Sequence, residues 1–117
     1  MEKSIPTKQS NRRKSQRRKP RSSVKIECRK GSYGLGANIA LSTLDLSDTG
    51  VCLTVSQPQN LMAEMEVIIV GYGMRKPIKR AAVLRWQVPM ADGHFCIGAE
   101  FQKRLEYRDW QNLASPS

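Results

Sequence analysis

Aromatic side chains are scarce in this sequence, at 2 Phe, 2 Trp and 3 Tyr among 117 residues. There is a single histidine, His94, and there are three cysteines with no CxxC pair among them. With so few soft ligands and no paired spacing, a zinc site is not supported. No apolar run approaches the roughly 18–20 residues that a membrane-spanning helix needs. The stretch Met1-Glu2-Lys3-Ser4-Ile5-Pro6 lacks the apolar core of a secretory signal, so none is expected. A chain of this length holds one small domain of the usual size, roughly 100–150 residues, and leaves no room for a second catalytic domain.

Acidic residues are nearly absent from the N-terminal quarter. Residues 1–30 carry 12 Lys and Arg against Glu2 and Glu27, whereas residues 31–117 carry 8 basic and 8 acidic groups. The whole net charge of +10 therefore sits in the first 30 residues. A neutral body with a basic arm attracts an anion: nucleic acid, an acidic membrane surface or a phosphorylated small molecule. Residues 1–23 contain no aromatic residue and cannot bury a core, which reads as a flexible arm. A helical turn or two is expected over 12–19, stopped by Pro20.

From Val24 onward the pattern has period two. Val24, Ile26 and Cys28 alternate with Lys25, Glu27 and Arg29, the mark of a half-buried strand. A glycine-rich hairpin loop is expected at 31–36. Further strands are expected over 38–46, 51–55, 65–70, 78–87 (the least cleanly alternating) and 95–101. Ser47-Asp48-Thr49-Gly50 and Asp92-Gly93 carry turn chemistry. A helix is expected over 104–113, with Leu105, Trp110 and Leu113 on its packing side. Trp86 and Trp110 are both expected in the core or against the helix. Each cysteine falls in an apolar run and is expected as a buried free thiol in a reducing compartment. The fold class is thus mainly all-β: a small six-stranded antiparallel barrel with a C-terminal helix and a basic, flexible arm.

Two constellations carry chemistry. Arg17 and Arg21 stand four apart in Gln16-Arg17-Arg18-Lys19-Pro20-Arg21. Guanidinium groups offer a donor fork to phosphate oxygens and stack on flat rings. Arg13 and Arg17 form a second pair of the same spacing, so 13/17 competes with 17/21. The other constellation is Asp45-Leu46-Ser47-Asp48-Thr49-Gly50. In a strand, Asp45 and Ser47 share a face. A carboxylate there suits the N–H groups of a guanine edge. The plainer alternative is a hairpin in which Asp and Ser cap their own turn. Gly50 permits a positive-φ turn or close backbone approach.

Together, RxxxR before the first strand and DxSxxG after the second resemble the PilZ family of bacterial cyclic di-GMP receptors. Ile97-Gly98-Ala99-Glu100-Phe101 resembles the strand that closes such domains. The resemblance spans about residues 16–113 and implies a six-stranded antiparallel barrel with a C-terminal helix. It implies that Arg17 and Arg21 bind phosphate and stack on guanine, with a further phosphate contact from Arg18. It also implies that Asp45 and Ser47 hydrogen-bond a guanine and that Gly50 lets the turn approach the ligand. The resulting division is an arm at 1–15, a domain at 16–113 and a tail at 114–117. The implied function is a cytoplasmic, non-enzymatic receptor with no cofactor, monomeric or dimeric, whose arm shifts on binding and signals to a protein partner. The alternatives are a small nucleic-acid-binding barrel with a basic arm, or a PilZ-like domain that docks a protein without nucleotide. An aspartic-protease reading of Asp48-Thr49-Gly50 rests on a tripeptide alone. The small residue usual after that glycine is replaced by Val51, so no enzyme is expected.

Overall fold

A computed structural model of the chain describes residues 16–31, 36–71 and 73–114. The expected arm at 1–15, including Arg13, lies outside the described residues, as do the middle of the 31–36 loop and residues 115–117. Six strands form one antiparallel sheet: β1 Lys25–Lys30, β2 Ser42–Leu46, β3 Gly50–Val55, β4 Glu64–Val70, β5 Ile78–Pro89 and β6 Phe95–Phe101. Their order across the sheet is β1-β4-β5-β6-β3-β2. Among the described residues there is one helix, α1, spanning Tyr107–Leu113. The architecture is a six-stranded antiparallel half-barrel with a C-terminal helix, as the alternation predicts.

Alternation decides which side chains meet. Ile26 and Cys28 of β1, Met65, Val67 and Ile69 of β4, and Val51, Leu53 and Val55 of β3 fill the interior. Ala82 and Leu84 of β5 and Ile97, Ala99 and Phe101 of β6 complete that lining. Burial of each large aliphatic side chain contributes about 1.5–3 kcal/mol before entropy is subtracted. Leu105, Trp110 and Leu113 cap one end of the barrel from α1 and the segment before it.

The second strand begins at Ser42, four residues later than expected. Residues 38–41 do not continue β2 because their backbone groups bond in turn to two different strands, β1 and β3. Asn38 Oδ1 accepts from the Cys28 and Ala40 amides at 2.9 and 3.0 Å. The Ile39 amide donates to Cys28 O, and the Leu41 amide to Thr54 O. The segment thus passes from β1 to β3 across the mouth of the half-barrel. The helix also starts later than expected, because the Leu105 amide donates to Asp48 O at 2.7 Å and holds the approach extended.

The described part of the anticipated arm helix is extended instead. Arg18 and Leu46 exchange both backbone hydrogen bonds, at 3.0 and 2.7 Å. Pro20 bridges to Ala114, and the Arg21 amide donates to Leu113 O at 2.8 Å. Strand-like pairing with the β2 edge satisfies more backbone groups here than an isolated helical turn would. Residues 16–21 therefore lie between β2 and α1.

Candidate functional site

Two irregularities shape the outer face of the sheet. β2 carries a bulge between Thr43 and Asp45, and β5 carries one between Leu84 and Trp86. A bulge adds one residue against the partner strand and re-aims the side chains beside it. Between the two lies a cleft of about 250 Å³. Arg17, Asp45, Ser47, Gly50, Cys52, Arg85, Trp86, Gly98 and Glu100 contribute to its lining.

The floor of the cleft is set by two glycines, each pressed by a neighbour. A Cβ on Gly98 would overlap the indole of Trp86, so the ring lies directly on the β6 backbone. A Cβ on Gly50 would overlap the carbonyl oxygen of Ala99. Gly50 is thus required by the approach of β6 to β3; its φ is not in the left-handed region. The turn before it is held by Ser47, whose side chain is buried. Ser47 Oγ accepts from the Thr49 and Gly50 amides at 3.2 and 3.1 Å. That is the turn-capping role that serine commonly plays. Asp45 does not share it: its half-buried carboxyl faces the cleft with Arg17. Burial pushes that carboxyl above its ordinary value of 3.8, and the Arg17 charge opposes the rise. Arg85 forms one wall, its Nε donating to Glu100 Oε1 at 2.6 Å.

Arg17, Asp45, Ser47 and Gly50 therefore meet in one cleft. Arg18 and Arg21 are turned elsewhere. Arg18 stacks its guanidinium 5.0 Å from the centre of the Trp110 ring. Arg21 Nε donates to the Asn112 carbonyl at 2.8 Å, near the end of α1. In an extended segment, neighbouring side chains diverge, and pairing of Arg18 with Leu46 fixes which way each points. Asp48 is ion-paired to Arg104, whose Nε donates to Asp48 Oδ2 at 3.0 Å. Trp110 is buried, as expected. Trp86 is not a core residue; it is a half-buried wall of the cleft. Its place there, with that of Arg85, follows from the β5 bulge. The one trace in the sequence is the imperfect alternation of 78–87.

The cleft brings a guanidinium, a carboxylate and an aromatic ring together, the kind of convergent polar and apolar lining that a small-molecule binding site presents. The comparison with family models is specific: the PilZ domain model matches residues 11–115. The chain belongs to the PilZ domain family, which generally binds cyclic di-GMP and whose domains are non-catalytic receptors. No curated protein and no solved structure matches it. Among the described residues, no helix is long and apolar enough to cross a membrane.

Proposed function

We propose that this domain binds cyclic di-GMP in the cleft between β2, β5 and β6 and reports occupancy by moving residues 16–21. The observation that carries the reading is the convergence of Arg17, Asp45 and the Trp86 ring on one open cleft. Arg17 supplies a planar cation for a phosphate. The Asp45 carboxylate accepts from the N–H groups of a guanine edge. Trp86 offers a π-face to a base, an interaction worth about 1–3 kcal/mol where it has been measured by alanine substitution. Ser47 keeps the turn closed so that its edge is presented in one geometry.

Arg21 gives the reading its switch. In the free domain its guanidinium holds the Asn112 carbonyl, and its amide holds Leu113 O. A dianion beside Arg17 draws Arg21 off the helix end, since a phosphate is a stronger partner than a carbonyl. The segment then leaves α1, exposing the helix end to a partner protein in the cytoplasm. Residues 16–113 act as the receptor unit, with 1–15 as its arm. Arg18 serves the switch by its stacking on Trp110, which ties the segment to α1.

The test is calorimetric titration with cyclic di-GMP, with GTP as control, at moderate and high salt. Saturable binding that persists at high salt is expected, and an Asp45→Asn variant should bind at least tenfold more weakly. Binding of wild type should also weaken on acidification. The acceptor is lost as pH falls through the Asp45 pKa, and that loss begins at a higher pH than for an ordinary carboxylate because burial raises the value. Absence of binding in calorimetry and in a second assay would overturn the reading.

A further inference from the structure

Beneath the cleft lies a feature that ligand recognition does not use. Cys52 and Cys96 are 7% and 8% exposed, yet neither belongs to the interior cluster that takes in Cys28. Alternation explains this. Val51 and Leu53 of β3, and Ile97 and Ala99 of β6, point inward, so Cys52 and Cys96 point to the outer face. Cys52 stands opposite Gly98, and Cys96 opposite Thr54, which makes the two cysteines a diagonal cross-strand pair. Their sulfurs are 3.1 Å apart, both as free thiols. Cys52 also lines the cleft, so a small solute entering the cleft reaches it.

We propose that Cys52 and Cys96 form a reversible dithiol–disulfide pair under the cleft floor, through which a peroxide lowers the affinity of the domain for its nucleotide. The second half of this proposal rests on the cyclic di-GMP reading; the first half does not. A disulfide bond is about 2.05 Å long, so the sulfurs must close by about 1 Å. In the reaction, the Cys52 sulfur attacks one oxygen of hydrogen peroxide and becomes a sulfenic acid, and the other oxygen leaves as water. The Cys96 sulfur then displaces the sulfenic hydroxyl as a second water. Two electrons and two protons pass from the thiols to one peroxide, and a small dithiol reverses the change.

The coupling to the cleft is steric. Gly98, the residue opposite Cys52, lies against the Trp86 ring, which occupies the space a Cβ would take. Drawing Cys52 and Cys96 together shifts β3 against β6 at the point where that ring rests. Asp45 is the β2 partner of Cys52, so the same shift alters the distance between the carboxylate and the ring. Burial pushes the Cys52 thiol up to about 12, with the hydrogen bond to Cys96 adding to the rise. The resting Cys52 thiol is therefore protonated, and because the thiolate is the nucleophile its reaction with peroxide is slow. Cys28 is an internal control: it is fully buried within the interior cluster and donates to Met65 Sδ at 3.4 Å.

The experiment treats the purified protein with hydrogen peroxide, maps its thiols by mass spectrometry under non-reducing conditions, and records tryptophan fluorescence without ligand. Cyclic di-GMP titration follows before oxidation, after it, and after dithiothreitol. The expected result is a Cys52–Cys96 disulfide with Cys28 still a thiol, a change in tryptophan emission, and an affinity at least tenfold weaker that dithiothreitol restores. A Cys96→Ser variant should show neither the disulfide nor the emission change. Oxidation of Cys52 to sulfinic acid without a disulfide would overturn the pair. A mapped disulfide with unchanged emission and affinity would overturn the coupling. If the reduced protein binds no cyclic di-GMP, the nucleotide reading and the affinity coupling fail together, while the thiol map and emission still decide the disulfide and its effect on the cleft wall.

Discussion

Replacing Trp110 with alanine is expected to lower the stability of the domain by about 3–5 kcal/mol, the usual loss for a large buried aromatic. The ring is 4% exposed. It joins three elements at once. Its backbone belongs to α1, its Nε1 donates to the Leu46 carbonyl of β2 at 3.3 Å, and its face carries Arg18. The same Leu46 carbonyl accepts from the Arg18 amide. A helix of seven residues has no independent stability, so its presence depends on Trp110 and Leu113 being buried. Small domains are held together by about 5–15 kcal/mol in total, and 1 kcal/mol is worth roughly 4–8 °C in melting temperature at this size. A fall of roughly 15 °C or more is therefore expected in a thermal melt. Trp110→Phe should retain most of the packing and lose the indole hydrogen bond, costing about 1 kcal/mol for that bond. An alanine variant that melts within a few degrees of wild type would mean that α1 is not docked through this ring.

Much of this architecture was legible because strand alternation is local information. Val51, Leu53 and Val55 announce an inward face without reference to any partner. Asp45 and Ser47 are equally legible as a constellation, since two residues of separation fix their relation. What the sequence hid is set by register between distant strands. Trp86 meets Gly98 only because a bulge at Arg85 shifts β5 against β6 by one residue. Without the bulge, the ring position would fall on the other face, and the expectation of a core tryptophan would have been sound. The arginines show the same limit. Their spacing is plain in the sequence, but the edge of β2 and the end of α1 decide which of them faces the cleft. The cysteines were expected as buried free thiols, and they are. That two of the three lie outside the interior follows from which face of β3 packs inward, and neither strand announces its partner.

The division between Arg17 and Arg21 yields the largest expected effect on binding. Arg17→Ala should weaken cyclic di-GMP binding by at least a hundredfold, about 2.7 kcal/mol. It should leave stability within about 0.5 kcal/mol of wild type, because the side chain is exposed. Arg17→Lys should recover only part of the affinity, since an ammonium keeps the charge but not the planar fork. Arg21→Ala should differ in kind. It removes the guanidinium from Asn112 O, so amide exchange at Arg18 and Arg21 should quicken in the ligand-free protein. Arg17→Ala should leave exchange at those two amides unchanged. In wild type, ligand should free the Arg21 amide from Leu113 O while the cleft around Ser47 and Gly50 becomes better protected. In Arg21→Ala that ligand-induced change should vanish, because the group that transfers from helix to phosphate is gone. Protection at the Arg21 amide that is identical with and without bound nucleotide would sink the switch. It would leave the cleft as a binding site whose output runs through some other element.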